Sequence, residues 1–452
     1  MDYEAALAYL YSLVNYERTG LRSLLTDDVR LDSIRRLVEL LGNPHERFPS
    51  VHIAGTKGKG SVAATLEAMA RAAGYRTGLF TSPHLVSPRE RIRIDGEPVS
   101  RGHLVKLVET VEPVAESIRN QPPPSPPTFF EVYAAMAFTH FAAEQVDLAI
   151  LETGLGGRFD ATNIISPLAC AITTLGLDHT EILGETIEQI AFEKAGIIKP
   201  GVPVVLAENP PEAADVIRER AAQLGAPLVP APQVISVTPP EKAPVPKPGA
   251  PLPGLAQTVV LSRNECELPV RFRLVGAHQA TNLAVAVGLA DLLRASGYGA
   301  LDDDAILAGA RTVKWPARLE IVAARPWVVL DCAHNPQSAQ ALAAALPGLI
   351  EFDRLMLVMG ISDDKDAARM ADILAPMTDI AILTRAALPR ALPVQELEAR
   401  TAQYWSRHRT ATTVAEALGL ARELAGPRDC IVVTGSFFVI DEYLQLAGMA
   451  GA

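Results

Sequence analysis

"HIAGTKGKGSVAATLEAMARAAG", residues 52–74, runs from the end of an apolar stretch through a glycine- and lysine-rich loop into a helical pattern. Val51 and Ile53 close the apolar stretch. Gly55, Gly58 and Gly60 punctuate the loop, where the missing Cβ lets backbone amides come close to an anion. Helical periodicity starts near Ser61, with Val62, Leu66, Met69, Ala70 and Ala73 on one face and Gly74 suited to a C-cap. A strand, a glycine loop and a helix N-terminus in succession form a cradle for an oxyanion, and Lys59 adds a compact positive charge.

The loop departs from the standard phosphate-binding pattern. That pattern places Ser or Thr directly after the lysine, whereas here Gly60 intervenes before Ser61, and Ile53 stands where the first glycine belongs. The hydroxyl that usually holds magnesium is therefore displaced. A plain glycine turn between strand and helix is the alternative reading; Gly58, Lys59, Gly60 and Ser61 in this context favour phosphate.

Apolar runs that read as strands recur along the chain: "SVHIAG", "VDLAILET", "ACAITTLG", "VPVVLA", "WVVLDCA", "RLMLVMG", "IAILTR" and "CIVVTG". Ala- and Leu-rich helical segments lie between many of them, which predicts α/β architecture with parallel sheets covered on both faces. The pattern runs twice, to about residue 210 and again from about 326. A chain of 452 residues exceeds what one core usually supports. Two domains are expected, 1–313 and 314–452, with a boundary near Pro316.

The stretch 229–254, "VPAPQVISVTPPEKAPVPKPGAPLPG", is too proline-rich for a helix or a central strand. "TVVLSRNECELPVRFRLVG" then reads as a hairpin turning at "SRNE". A β-rich excursion near 229–275 is expected within the first domain, with an interdomain linker as the alternative. A helix follows at about 278–295. "QPPPSPP" (121–127) reads as a surface loop, and no fixed-period repeat occurs.

Hydrophobic residues make up 49% and charged residues 21%, as in ordinary globular proteins. The net charge is −11, from 52 acidic against 41 basic residues, with no long basic run, which argues against a nucleic-acid partner. Cys170, Cys266, Cys332 and Cys430 are scattered, so neither a zinc site nor a disulfide framework is suggested. The first residues carry acids at Asp2 and Glu4 and lack the basic zone and small-residue cleavage site of a signal peptide. No apolar run approaches the roughly 20 residues of a membrane span. A soluble cytoplasmic protein is expected.

Polar clusters stand at two predicted strand ends. Glu152 closes "VDLAILET" just before a glycine turn, and Asp178-His179-Thr180 follow "ACAITTLG". Alone, Glu152 reads as a solvated acid and His179 as a structural histidine. Together, beside a phosphate loop, they suggest a metal–nucleotide site. Lys194 falls on the apolar face marked by Ile187, Ile190, Ala191 and Ile198. Such a lysine usually snorkels to water. If buried, it is held as a neutral amine able to form a carbamate with CO2.

In order and spacing, "GTKGKGS", "TSPHLVSPRERIRIDG", "TFFEVYAAMAF", "LETGLGGRFDATN", "GLDHTEILGETIEQIAFEKAGIIKP", "GAHQATNLAVA", "WPARLE" and "LDCAHNP" resemble the folylpolyglutamate synthase/dihydrofolate synthase family of the Mur ligase superfamily over nearly the whole chain. The resemblance implies a P-loop-type doubly wound ATPase domain followed by a smaller Rossmann-like α/β domain. It also implies ATP-dependent joining of L-glutamate to dihydropteroate or folates through an acyl phosphate. Gly58, Lys59, Gly60 and Ser61 would wrap the ATP phosphates, with Asn282, Arg318 and Asp331 also touching ATP. Ser82, Glu152 and His179 would hold two magnesium ions, Ser82 replacing the displaced hydroxyl. Lys194 would be carbamylated (N6-carboxylysine), and His334 would join the reaction centre.

By the same resemblance the pterin would lie against Thr128, Phe129, Phe130 and Glu131 and against Phe159, Asp160 and Ala161. Aromatic faces stack on a flat heterocycle, while polar side chains read its edge. For one of Phe129 and Phe130, core packing is the competing reading. Asn282 on a helix surface and Arg318 in an interdomain ion pair are likewise alternatives. Glutamate is expected on the second domain's side, with Ser436 of "VVTGSFF" in a candidate region. Lys57 stands where many relatives carry Asn. A peptidoglycan-type Mur ligase is disfavoured by the short stretch before Gly55; a nucleotide-binding regulator without turnover is the other rival. A monomer using both acceptors is expected.

Overall fold

The computed structural model describes residues 1–15, 31–121, 126–263 and 265–448. Ser50–Ala54 (β1) is buried at every residue, which explains its unbroken apolar character. It continues through residues 55–58 into the helix Lys59–Ala72, two residues earlier than the periodicity predicts. The cap is Ala73, and Gly74 follows at φ +86°, the left-handed turn that glycine accommodates.

β1 lies inside an eight-stranded sheet. The other strands are Thr77–Phe80 (β2), Ile92–Ile94 (β3), Glu97–Pro98 (β4), Leu148–Glu152 (β5), Ala169–Ile172 (β6), Val204–Leu206 (β7) and Leu228–Pro230 (β8), in the order β4-β3-β2-β5-β1-β6-β7-β8. From β2 to β8 all neighbours are parallel, and β3 and β4 add an antiparallel edge. The chain leaves β1 for β2 and β5 on one side and β6 on the other. The carboxyl end of β1 is thus a topological switch point, where doubly wound sheets bind ligands.

Helices cover both faces. Val62, Leu66 and Met69 pack with Val51, Ile53 and Leu283 in one core, and Phe80, Leu151, Phe129 and Phe138 share the core on the other face. Each such side chain contributes about 1.5–3 kcal/mol by leaving water.

The expected hairpin is present. Gln233–Thr238 (β9), Gln257–Arg263 (β10) and Cys266–Phe272 (β11) form an antiparallel sheet ordered β11-β10-β9, with residue 264 of its turn outside the described residues. Strand β9 lies within the proline-rich stretch at an edge, the position that tolerates proline neighbours. Val259, Leu261, Val270 and Phe272 join the core of β1. Farther along, the proline-rich segment crosses to the second half, where the Ala243 amide donates to the Leu349 carbonyl and the Glu351 amide to that of Ala243. The helix expected at about 278–295 is Ala277–Ala295.

The second sheet comprises Glu320–Ala323 (β12), Trp327–Leu330 (β13), Leu355–Met359 (β14), Ile380–Leu383 (β15), His408–Thr410 (β16) and Cys430–Thr434 (β17), ordered β12-β13-β17-β14-β15-β16 and parallel except for β12. The molecule is thus a doubly wound α/β module followed by a smaller α/β module, as expected. Four residues of "QPPPSPP", 122–125, lie outside the described residues. Among the described residues no helix is long and apolar enough to cross a membrane.

Candidate active site

The loop after β1 is shaped by close backbone approaches. A Cβ on Gly55 would fall 1.8 Å from Thr173 Oγ1, and one on Gly58 would fall 2.0 Å from Asn282 Oδ1. Gly60 packs against Trp315, whose Cζ2 would lie 2.7 Å from an added Cβ. The amides of Thr56 and Lys57 both donate to the Thr174 carbonyl, fixing the loop to the strand-end beside it. Gly58, at φ +87°, heads the helix Lys59–Ala72, and no side chain caps that helix. Its first-turn amides are therefore available to an anion, and the helix dipole adds to the attraction.

Glu152 is 4% exposed at the end of β5. One oxygen accepts from the Ser82 amide at 3.1 Å, and the other lies 4.0 Å from Lys59 Nζ. Burial raises its pKa to about 7, against the lowering pull of Lys59 and the Ser82 amide. His179 sits at φ +51°, heading the short helix Thr180–Leu183. Burial lowers its pKa to about 4 despite Asp178, so its ring is neutral and can ligate a metal.

Lys194 does not snorkel. It is 4% exposed, and its Nζ donates to the Gly55 carbonyl at 2.9 Å. Burial, reinforced by the charge of Lys59, lowers its pKa to about 7. A lysine so held sheds its proton far more readily than an exposed one, and the neutral amine is the state that reacts with CO2.

The second module supplies the facing wall. Asp331, just past β13, receives the amides of Leu319 and Ala333, both at 2.9 Å. Arg318 lies over the Phe437 ring, 5.6 Å from its centroid. The His334 ring lies against the same phenyl ring, centroids 5.5 Å apart and planes tilted by 45°, with Nδ1 2.8 Å from the Cys332 carbonyl. Asn282 is buried and donates to Gln279; it is not the surface residue considered above. Ser436 uses its hydroxyl to cap the helix Phe437–Leu446.

Around the expected pterin residues the structure divides the set. Phe130, Thr128, Phe159 and Ala161 open on the cleft. Phe129 does not: it is 1% exposed, part of the core and 4.7 Å from the Tyr133 ring, so the core-packing reading applies to it. Glu131 and Asp160 line the cleft, but their carboxylates are already engaged. Glu131 closes a capping box with Thr128, accepting from its amide at 2.7 Å. Asp160 gathers the amides of Gly154, Leu155 and Thr162 and so folds the glycine turn. Neither carboxylate is spare for reading a pterin edge; both shape the wall that would hold one.

Gly58, Lys59, Gly60, Ser61, Ser82, Glu152, His179, Lys194, Asn282, Arg318, Asp331, His334 and Ser436 line one continuous cleft of about 1910 Å³. Sites for one small ligand run to about 1000 Å³, so this cleft has room for several.

Residues 317–437 match the family model described as Mur ligase, glutamate ligase domain. The chain is 34% identical to the dihydrofolate synthase/folylpolyglutamate synthase of Bacillus subtilis (strain 168), over 91% of this chain and 93% of that protein. The chain belongs to the folylpolyglutamate synthase/dihydrofolate synthase family. Its fold matches Mycobacterium tuberculosis folylpolyglutamate synthase, solved with ADP and AMPPCP, with a TM-score of 0.85 at 34% identity over 99% of both chains. It also matches a folylpolyglutamate synthase complex with AMPPCP and folate, with a TM-score of 0.82 at 30% identity, covering 99% of this chain and 100% of that one.

Sequence reasoning left out a charged bridge across the cleft. Asp178 Oδ2 receives Lys57 Nζ at 2.8 Å and Asn335 Nδ2 at 3.3 Å, while its Oδ1 receives Lys365 Nζ at 3.0 Å. The lysines beside Asp178 hold its carboxyl far below the usual range, against the upward push of burial. Lys365 and Asp178 are 187 residues apart, and no local pattern signals the pairing. Arg91 is also a cleft residue, 1% exposed, lying 5.2 Å from the Phe129 ring centroid. Its arginine-rich motif was visible, but which of the arginines turns inward was not.

Proposed function

We propose that this chain is an ADP-forming ligase that joins L-glutamate to dihydropteroate and to folates through an acyl phosphate. The observation that carries this reading is the single cleft with an uncapped helix N-terminus and Lys59 on one wall and the glutamate-ligase module's Arg318, Asp331 and His334 on the other. The relative named for both activities supports two acceptors.

The first-turn amides after Gly58, with Lys59, take the triphosphate. Asn282, buried against Gly58, braces the loop, and Arg318 and Asp331 contact the nucleotide from the second module. The Glu152 carboxylate at a strand end, with Ser82 and His179 on the same cleft, fits magnesium: a buried acid with one oxygen not hydrogen-bonded suits a hard cation. When bound, magnesium neutralises the triphosphate charge. Lys194 as a carbamate adds an anion beside the loop, and its pKa of about 7 supports that modification.

The acceptor lies against Phe130 and Phe159, and its carboxylate oxygen attacks the γ-phosphorus. The bond to the β–γ bridging oxygen breaks, giving ADP and an acyl phosphate. The neutral amine of glutamate then attacks the acyl carbon. The carbon–oxygen bond to phosphate breaks, the amide forms, and the proton shed by the amine nitrogen ends on the departing phosphate. Positioning carries most of such a transfer. The test is ADP release by purified protein with dihydropteroate or tetrahydrofolate, with and without glutamate. ADP release that needs both substrates supports the reading; release indifferent to glutamate overturns it.

A further inference from the structure

Away from the cleft, three ligand-type side chains converge where two helices pack together. His103 lies in the first turn of Arg101–Arg119, and its amide donates to Ser100 Oγ at 3.1 Å. His140 and Glu144 stand four residues apart in the last turns of Phe129–Glu144, and so on one face. One donor atom from each of the three lies within 4.8 Å of the others; among the described residues no other His, Cys, Asp or Glu trio is so arranged. The two imidazoles face each other with centroids 5.6 Å apart and planes 51° apart. His140 is 6% exposed and His103 is at the surface, so the trio forms a shallow site with a protected floor. None of the three lines the cleft.

We propose that His103, His140 and Glu144 bind a zinc-class divalent transition ion, through two imidazole nitrogens and one carboxylate oxygen, with solvent completing the shell. The donor set selects the class. Two imidazoles with a carboxylate suit zinc and its first-row neighbours, whereas magnesium and calcium require shells built mostly of oxygen. Zinc–nitrogen bonds of about 2.0 Å put tetrahedral donors about 3.3 Å apart. The trio, with its donor atoms within 4.8 Å of one another, must draw in by up to about 1.5 Å to reach that spacing, and the exposed His103 ring is the member most free to move. One local charge opposes the ion: Arg76 pairs with Glu144 Oε2 and competes for the same carboxylate. Coordination pins the first turn of one helix to the last turn of the other. The far end of the second helix carries Thr128, Phe130 and Glu131 at the cleft, so the ion braces the element on which that wall is built.

The test is calorimetric titration of the full chain with zinc chloride in excess magnesium, alongside the His103→Ala, Glu144→Gln and Arg76→Ala variants. Wild type takes up one zinc ion that His103→Ala and Glu144→Gln bind at least about tenfold more weakly. Arg76→Ala, freed of the competing cation, binds it more tightly than wild type. Zinc raises the melting temperature of wild type more than that of His103→Ala, while magnesium-supported ADP release is the same in both. Equal zinc stoichiometry and affinity in wild type, His103→Ala and Glu144→Gln would overturn the assignment, as would zinc binding that Arg76→Ala weakens.

Discussion

Lys194 gathers the charges of the cleft around one buried amine. Burial lowers its pKa to about 7; Lys59 and Lys57 act in the same direction, while Asp178 and Asp160 oppose them. If it works as a carbamate, Lys194→Ala loses turnover, and Lys194→Glu, which restores an anion, recovers part of it. Removing CO2 from the buffer lowers the rate of wild type, more at pH 6 than at pH 8, because only about a tenth of the amine is neutral one unit below its pKa. Full activity in CO2-free buffer, with an intact mass showing no added carboxyl group, contradicts the carbamate. The unmodified lysine also has a stability cost. From about pH 7 up to the ordinary lysine value of 10.5 the unfolded chain keeps a proton that the native amine has shed. The contribution of Lys194 to stability therefore rises with pH across that window and is least favourable below it. Lys194→Met should melt higher than unmodified wild type at pH 6, with the gap closing towards pH 10. Glu152 has the opposite slope. Its pKa is raised from 4.5 to about 7, so its contribution is fully present below about pH 4.5 and is lost as pH rises through 7. Glu152→Gln should abolish turnover and flatten this part of the stability profile.

The glycine loop and the helix it feeds form one element, legible in sequence because its requirements are local. Glycine spacing, lysine and apolar periodicity all fall within residues 52–74. What sequence could not supply is the neighbour: Asn282, more than 200 residues on, occupies the space where a Gly58 Cβ would go. Gly58→Ala should cost about 1–3 kcal/mol in backbone strain, read from chemical denaturation, and should lose nucleotide affinity by calorimetry. Adding Asn282→Ala removes the clash but not the left-handed backbone, so it recovers only part of the loss; full recovery would refute the strain argument. The helix that follows "TFFE" teaches the converse. Its Thr-x-x-Glu spacing is a capping-box signature, and the same four letters were given a pterin-reading role. The structure assigns Thr128 and Glu131 to the cap and Phe129 to the core, leaving Phe130 facing the cleft. Thr128→Val should lower stability by about 1 kcal/mol and raise the KM for the acceptor more than it lowers kcat.

At the scale of the molecule, two sheets meet over one cleft, and Asp178 joins them through Lys57 on its own side and Lys365 and Asn335 on the other. The strand runs announced both sheets because parallel strands buried on both faces must be apolar throughout. Their meeting was invisible because charge pairing across the cleft leaves no periodic trace. The proline-rich stretch was opaque for a similar reason: its β9 edge strand and its Ala243 bridge to Ile350 of the second module are set by partners distant in sequence. Asp178→Asn strands two lysines beside a neutral amide. It should destabilise the protein by about 3–5 kcal/mol, measured by denaturant melts, with a fall in kcat. An unchanged midpoint would show the bridge to be incidental. The central claim is that the cleft brings the γ-phosphate of ATP onto the acceptor's carboxylate before glutamate arrives. It is tested most directly with an acceptor labelled with 18O in that carboxyl group. The account predicts one labelled oxygen in each phosphate released; phosphate carrying only solvent oxygen would contradict it.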